Sequence, residues 1–177
     1  MSQLIITEEW RSIDGYINYH VSNIGRVRNS DTGRILKPRI RGKNHDYQAV
    51  ALYKDGKQNN CSIHRLVAIE FIPNLENKPQ VDHIDMDKFN NSVNNLRWVN
   101  NSENGMNHKK NTNIITTSQY KGVSYHKPSG KWITSIGFNN SRKHIGLYAT
   151  EIEAAKAYDV KARELHNEFA CLNFPDV

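Results

Sequence analysis

The stretch Val81–Asn104, VDHIDMDKFNNSVNNLRWVNNSEN, contains the most informative residue pattern in the chain. It places a carboxylate and an imidazole, Asp82 and His83, at the end of a short apolar run. An asparagine-rich loop follows, then the strand-like Leu96–Val99, and then a segment that is predicted to begin a helix. A strand, a loop, a second strand and a helix form a small scaffold that can bring Asp82, His83 and Asn104 together.

A carboxylate, an imidazole and an amide oxygen are the groups that a phosphodiesterase with one metal ion needs. The oxygen ligands, from Asp82 and Asn104, favour a hard divalent cation such as Mg²⁺, with Mn²⁺ as a second candidate. The neutral imidazole of His83 can take a proton from an attacking water. Because the motif offers a single binding carboxylate, a site with two metal ions is not expected.

The same stretch resembles the HNH nucleases, and within them the homing endonucleases of phages and viruses, whose core is the ββα-metal fold. Several fixed offsets carry the resemblance, which makes it specific. The matching segments are His64–Ala68 (HRLVA), Val81–Asp85 (VDHID), Asn90-Asn91 and Asn94–Val99 (NNLRWV).

Position by position, the resemblance implies a role for each motif residue. His83 matches the general base and Asp82 matches a metal ligand. Asn95 matches the middle asparagine that holds the loop and the histidine in place, so we group His83 and Asn95 as the catalytic residues. Asn104 falls where the last metal ligand of the family stands, a position at which many members have histidine. His108 lies one helical turn later and is a competing candidate for the metal.

Other polar residues near the motif are expected to be structural. Asp85 is interpreted as a solvated loop acid. Asparagine bonds to nearby backbone groups and tolerates left-handed geometry, which predicts turn positions for Asn90, Asn91 and Asn94. His64 is expected to open a buried helix and to pack beside the site.

The composition indicates a basic chain of several small parts. Its 177 residues are 37% hydrophobic and carry a net charge of +6, which favours an anionic partner. Residues 25–45 contain seven Lys or Arg and one acid, and residues 104–150 contain seven and no acid. A solvated face is the plainer interpretation of one such run. Two runs, one on each side of a nuclease-like motif, favour double-stranded DNA as the partner.

The cysteine spacing and the apolar runs restrict the remaining classes. Cys61 and Cys171 form no CxxC pair, so structural zinc is not expected and a reducing compartment is favoured, with both thiols packed inside. No apolar run approaches the roughly 20 residues of a membrane span, and the N-terminus lacks the pattern of a signal peptide. We expect an intracellular protein, in the cytoplasm or nucleus of the host cell. The oligomeric state stays open, and a monomer is compatible with the sequence.

Residues 1–60 are predicted to form short strands separated by turn signals such as Gly15 and Asn23. Their pattern WxxIxGY…YxVSNxGRVR resembles the small motif that is often fused ahead of HNH nuclease cores. That resemblance implies a DNA-binding or supporting module whose arginines lie along the phosphate backbone. The arginines expected to contact DNA are Arg26, Arg28, Arg39 and Arg41.

Residues 120–177 are predicted to form a three-stranded antiparallel sheet packed on one helix. The strands are expected at Tyr120–Tyr125, Lys131–Ile136 and His144–Tyr148, and Thr150 with Glu153 predicts a capping box at the start of the helix.

Tyr120–Pro175 resembles the apetala-two/ethylene-response-factor DNA-binding domain through the motifs YKGV, GKW, AYD and LNFP. In that family the sheet lies in the major groove of DNA, so the resemblance implies the same use here. Ser124, Pro128 and Gly137 stand where the plant factors usually carry Arg, Trp and Arg, so the plant target sequence is not expected. Trp132 is either a DNA contact or a packing residue. The expected DNA contacts are Lys121, His126, Lys127, Lys131, Arg142 and His144.

Together these features predict an α+β chain of several modules. A β-rich motif is expected at 1–60, a ββα-metal nuclease core with a helix over His64–Phe71 at 61–110, a linker at 111–119, and the DNA-binding domain at 120–177. The predicted function is a metal-dependent, site-specific DNA endonuclease of the homing type, cutting one strand or both. The alternative is a non-catalytic DNA-binding regulator that retains a nuclease relic, which the intact set of motif residues disfavours.

Overall fold

The computed structural model describes residues 7–41, 47–110, 116–139 and 141–175. The chain forms two units, Met1–Asn100 and Asn101–Val177. Both contain small antiparallel sheets and helices, so the fold combines α and β structure. Over the described ranges, no helix combines the length and the apolar character that crossing a bilayer requires.

The first unit begins with a three-stranded antiparallel sheet in the order β1-β2-β3. Its strands are β1 (Trp10–Ile13), β2 (Tyr16–Ser22) and β3 (Val27–Asn29). Gly15, with a φ of 73°, forms the turn from β1 to β2 in a conformation that favours glycine. This confirms the turn that Gly15 predicts.

A second antiparallel sheet follows, in the order β4-β5-β6. Its strands are β4 (Arg39–Arg41), β5 (Tyr47–Lys54) and β6 (Lys57–Ser62). Asp55 and Gly56 both have a positive φ, and Lys54 pairs with Lys57 across them. That is the two-residue hairpin turn that an Asp-Gly pair favours.

The nuclease motif follows these sheets. The helix α1 (Ile63–Phe71) confirms the helix predicted for that segment, and its buried residues lie on one face. Two strands, β7 (Gln80–His83) and β8 (Leu96–Val99), pair antiparallel around the loop of residues 84–95. The loop ends in a 3₁₀ turn over Val93–Asn95.

One hydrophobic core joins the N-terminal strands to the nuclease motif. Because burying one large aliphatic side chain contributes about 1.5–3 kcal/mol, this shared core gives both segments a common source of stability. The predicted segments 1–60 and 61–110 both contribute to it. The core residues are Ile13, Val21, Val27, Val50, Leu52, Ile63, Leu66, Val67 and Leu96.

The second unit begins with the short helix α2 (Asn101–Met106) and contains a three-stranded sheet in the order β11-β10-β9. The long helix α3 (Glu151–His166) buries Ala154, Ala155, Tyr158 and Ala162. Its predicted capping box is present, with reciprocal hydrogen bonds between Thr150 and Glu153. The strands are β9 (Val123–His126), β10 (Lys131–Phe138) and β11 (Ser141–Tyr148).

The motif residues of this unit fasten its C-terminal segment to the helix. Asp159 is 2% exposed, and its carboxylate accepts hydrogen bonds from the backbone N–H groups of Asn173 and Phe174, at 2.8 and 2.7 Å. Gly122 has a φ of 77°, and a Cβ there would lie 2.1 Å from the Tyr158 ring. These contacts explain why the YKGV, AYD and LNFP motifs occur together. Residues 111–115 of the predicted linker lie outside the described residues.

Candidate active site

Asp82 and His83 are neighbours on β7, with exposures of 9% and 4%. Their cross-strand partners are Arg97 and Leu96 of β8. Because successive side chains of a strand point to opposite faces, each of the two has its own set of contacts. The local pattern of strand, loop and strand thus holds both groups on one rigid element.

Asp82 forms an ion pair with Arg97 that sequence reasoning missed. Both Nε and Nη2 of Arg97 donate to Oδ2 of Asp82, at 3.0 and 2.8 Å. The two side chains are only 10% and 13% exposed, and a charge-assisted bond of this kind holds a carboxylate in a fixed orientation. The β7-β8 register could have indicated the pair, since it places the two residues directly opposite each other.

His83 contacts an asparagine of the loop. Its Nε2 lies 3.2 Å from Oδ1 of Asn91, and Asn91 is 3% exposed. The Asn91 amide also donates to Oε1 of Gln48 on β5, at 2.9 Å. The interpretation of Asn91 as a simple turn residue is therefore wrong, because its side chain points inward to the catalytic candidate.

A second histidine packs beside the first. His64 lies on α1, is 8% exposed, and has its ring centre 5.2 Å from that of His83 and 4.9 Å from that of Tyr47. Burial, with the nearby charges of His83 and Arg65, lowers the pKa of His64 to about 4. This confirms that His64 belongs to a buried helix beside the site and shows that its ring is neutral at pH 7.

Asn95 holds the loop of residues 84–95 together. Its Oδ1 accepts from the backbone N–H of Asp85 at 3.0 Å, and its Nδ2 donates to Oδ1 of Asp85 and to the Asn90 carbonyl, both at 2.8 Å. Burial raises the pKa of Asp85, but hydrogen bonds from Asn90, the Asp87 backbone and Asn95 outweigh it and lower the pKa below its usual range. Asp85 is exposed, yet it is a bonded part of the loop and not merely a solvated acid.

Asn104 is half-buried on α2, in the second unit, and its approach to Asp82 stays a prediction. The competing His108 lies beyond the end of α2 and is exposed. Carboxylate and amide oxygens are suitable ligands for a hard divalent cation. Among the described residues no three His, Cys, Asp or Glu side chains are grouped to hold a metal ion.

The N-terminal arginines differ in their surroundings. Arg26 forms an ion pair with Glu8 through Nε and Nη2. Arg28 stacks over the Trp10 ring, with 4.3 Å from its guanidinium carbon to the ring centre. Arg39 and Arg41 are exposed on β4, and Arg39 lines an open groove of about 820 Å³ together with Arg34 and Lys37. Of these arginines, those on β4 are the ones whose charge is most accessible.

The sheet of the second unit has one accessible face. Thr134 and Ile136 of β10 are buried toward α3, so residues 131, 135 and 137 point away from that helix. Trp132 packs against the apolar cluster on the α3 side, which favours its interpretation as a packing residue. The cross-strand partners of residues 131, 135 and 137 are His126, His144 and Arg142.

Four of the predicted DNA contacts therefore share this face: His126, Lys131, Arg142 and His144. Lys127 is exposed in the adjoining 3₁₀ turn. The Lys121 ammonium instead donates to the carbonyl oxygens of Met106 and His108, at 2.7 and 2.6 Å. A phosphate contact by Lys121 would have to displace these two bonds.

Two family models match consecutive segments of the chain. Residues 55–106 match the HNH endonuclease family, and residues 8–53 match the NUMOD4 motif. The DNA endonuclease I-HmuI of Bacillus phage SP01 is 39% identical over 124 residues, 68% of this chain and 70% of the phage enzyme. An uncharacterised HNH endonuclease of Acanthamoeba polyphaga mimivirus is 39% identical over 132 residues, 72% of this chain. The chain spans 32% of that longer relative.

A solved structure extends the likeness to the fold. The structure described as DNA binding and cleavage by the HNH homing endonuclease I-HmuI superposes with a TM-score of 0.53 at 29% identity, covering 88% of this chain and 90% of the other. A short segment is also similar to an AP2-like ethylene-responsive transcription factor of Arabidopsis thaliana, at 44% identity over 59 residues, 17% of that factor. Since it covers 70% of a phage enzyme to which it is 39% identical, the chain belongs to the HNH endonuclease family.

Proposed function

We propose that this protein is a metal-dependent DNA endonuclease of the homing type in which His83 is the general base. The observation that carries the proposal is the pair Asp82 and His83, buried side by side on β7 in a chain of the HNH endonuclease family. DNA is proposed as the substrate because I-HmuI is described as a DNA-binding and DNA-cleaving enzyme.

In the proposed mechanism His83 takes a proton from a water molecule as that water attacks the scissile phosphorus. The bond from phosphorus to the leaving oxygen then breaks. Asp82 and Asn104 would hold a divalent cation of the Mg²⁺ or Mn²⁺ class, which supplies charge stabilisation at the phosphoryl and leaving oxygens. Arg97 keeps the Asp82 carboxylate oriented, and Asn95 keeps the loop after His83 closed.

DNA binding is assigned to two basic surfaces. The first consists of the arginines of the N-terminal motif, with Arg39 and Arg41 the most exposed. The second is the face of the β9-β10-β11 sheet that points away from α3, which carries His126, Lys131, Arg142 and His144. The likeness to an AP2-like factor supports its use as a targeting domain of the apetala-two/ethylene-response-factor type.

The test uses a supercoiled plasmid and purified protein, with Mg²⁺, with Mn²⁺ and with excess EDTA. We expect nicked or linear product only with a divalent cation, and none from His83→Ala or Asp82→Ala. Asn94→Ala is the matched control, because Asn94 is an exposed residue of the same motif. Full activity in EDTA would contradict the metal assignment. A gel shift without product from the wild-type protein would favour the non-catalytic DNA-binding alternative.

A further inference from the structure

The side chain of Asn91 occupies a buried position between the loop, β5 and the catalytic candidate. Its Nδ2 donates to Oε1 of Gln48 at 2.9 Å and to the backbone carbonyl of Phe89 at 3.3 Å. Its Oδ1 faces Nε2 of His83 at 3.2 Å. Asn91 is only 3% exposed. A buried polar group that is left without its hydrogen bond lowers the stability of the fold.

The two ends of the Asn91 amide can be told apart by chemistry. The Phe89 carbonyl can only accept a hydrogen bond, so the NH₂ end of Asn91 must face it. The amide oxygen is then the end that faces His83. Because an amide oxygen can only accept, Nε2 of His83 must be the donor and must carry a proton.

That proton decides which nitrogen of His83 is basic. A neutral imidazole with a proton on Nε2 has its available lone pair on Nδ1. The hydrogen bond to one ring nitrogen thus fixes both the orientation of the ring and the nitrogen that can take a proton from water. Where a carboxylate sets the histidine tautomer in serine proteases, its conversion to an amide lowers kcat by roughly 10⁴.

Residues of the N-terminal motif pack against Asn91 and hydrogen-bond to its side chain and its loop. Gly25, in the turn after β2, has a φ of 85°, and a Cβ there would lie 2.7 Å from Cβ of Asn91. The backbone N–H of Val93 donates to the carbonyl of Asn23 in the same turn, at 2.7 Å. Gln48, on β5, fixes the NH₂ end of the amide. The segment that matches the NUMOD4 motif therefore provides both the space and a hydrogen-bond partner for Asn91.

We infer that Asn91 is a positioning residue for the cleavage reaction: it keeps the proton of His83 on Nε2 and leaves Nδ1 as the base, with the N-terminal motif supporting it through Gln48 and Gly25. The inference rests on the proposed role of His83. It assigns the N-terminal motif a part in building the active site, in addition to any contact with DNA.

The experiment measures the tautomer directly. The protein is labelled with ¹⁵N-histidine, and the His83 ring signals are identified by their absence in His83→Gln, at a pH where the ring is neutral. We expect the wild-type protein to show the Nε2–H tautomer. In Asn91→Leu we expect a mixture of tautomers, and in Asn91→Asp, which keeps an acceptor facing Nε2, we expect the Nε2–H form to persist. Asn94→Leu is the matched control and should match the wild type.

Kinetics on the same proteins supply the second measurement. At saturating DNA, Asn91→Leu should cleave roughly 10–100 times more slowly than the wild type, by analogy with the loss seen when the hydrogen-bond partner of a metal-ligating histidine is removed. The Kd for DNA should be unchanged, and Asn91→Asp should recover part of the rate.

Three outcomes would overturn the inference. They are an Nδ1–H tautomer in the wild-type protein, an unchanged tautomer in Asn91→Leu, or a wild-type cleavage rate in that variant. The first outcome is measured on the wild-type protein, so the inference can still be tested if Asn91→Leu fails to fold. Failure of the proposed function would give a different result. Undiminished cleavage by His83→Ala would show that His83 is not the base, whichever tautomer is observed.

Discussion

The loop of residues 84–95 and the sheet β9-β10-β11 use polar side chains in opposite ways. In the loop, Asn91 and Asn95 turn inward, are 3% and 8% exposed, and bond to other polar groups of the first unit. In the sheet, Lys131, Arg142 and His144 point to solvent on the face away from α3. The difference teaches that polar groups bonded to one another hold a fixed geometry, whereas exposed basic side chains stay accessible to an anionic partner.

The largest expected effect comes from removing the inward-facing His83, the proposed general base. His83→Ala should lower the cleavage rate by roughly 10²–10⁴, the usual contribution of a general base. The Kd for DNA should stay close to that of the wild type, since the proposed role arises only in the transition state. Single-turnover cleavage and a binding titration on the same duplex check both. A parallel loss of affinity and rate would break the comparison, because the loop would then serve binding as well.

The buried His64 should make the first unit sensitive to acid. Its folded pKa of about 4 lies below its ordinary value of 6.5, so the unfolded state binds more protons between these two values. Stability should therefore fall as the pH drops from 6.5 to 4, by about 3 kcal/mol at most from this residue. Denaturant unfolding of the wild type and of His64→Leu at pH 7 and pH 4.5 measures it. Gln119→Ala, a neutral change at an exposed position of the second unit, is the control.

Loosening the loop should cost both stability and rate. Asn95→Ala removes three partly buried hydrogen bonds around Asp85 and Asn90, and one such bond contributes about 0.5–1.5 kcal/mol net to stability. We expect a lower free energy of unfolding and slower cleavage. Asn94→Ala is the control, since surface changes usually stay within about 0.5 kcal/mol. Equal stability of the two variants would show that the inward bonds do not hold the loop.

The sequence predicts a region well when the contacts that define it join residues that are close together in the chain. The helix α1, the Gly15 turn and the Thr150 capping box depend on near neighbours, and all three are present as predicted. The inward position of Asn91 depends on Gln48, 43 residues earlier, and no local pattern indicates such a partner. The strand β4 was not predicted because it is only 3 residues long and all of them are exposed, so no buried apolar face marks it in the sequence.

The shared core of the first unit was missed for a related reason. Alternating apolar residues indicate that a strand has one buried face, but they do not indicate which neighbour covers it. Val21 and Val50 lie in the predicted segment 1–60, and they pack in the same cluster as Leu66 of α1 and Leu96 of β8. The Asp82–Arg97 ion pair was not predicted for the same reason, because the pair depends on the register between β7 and β8.

Removing exposed charge from the sheet should change binding and spare the chemistry. Lys131→Ala with Arg142→Ala should flatten the slope of log K against log salt by about 0.9 for each phosphate that is no longer neutralised. The single-turnover rate at saturating DNA should be unchanged. Binding titrations at several salt concentrations measure the slope. Gln119→Ala, a neutral change at an exposed position of the same unit, is the control, and an unchanged slope in the double variant would mean that this face does not contact phosphates.

The smallest effect should separate two arginines of the N-terminal motif. Arg39 is exposed and, within the described part of the chain, forms no ion pair, so Arg39→Ala should reduce the salt slope by about 0.9 if Arg39 contacts one phosphate. Arg26 is already paired with Glu8, and the Arg26 guanidinium holds the pKa of Glu8 below its usual range. A phosphate contact by Arg26 must release that carboxylate, so part of its gain is cancelled and Arg26→Ala should change the slope by less than Arg39→Ala does.

Glu8→Gln removes the competing charge, and in that background Arg26→Ala should show the full change, a coupling that the double-mutant cycle isolates. If Arg26→Ala gives the same slope with and without Glu8, the ion pair does not restrain Arg26, and its contribution is that of any exposed basic residue on a solvated face.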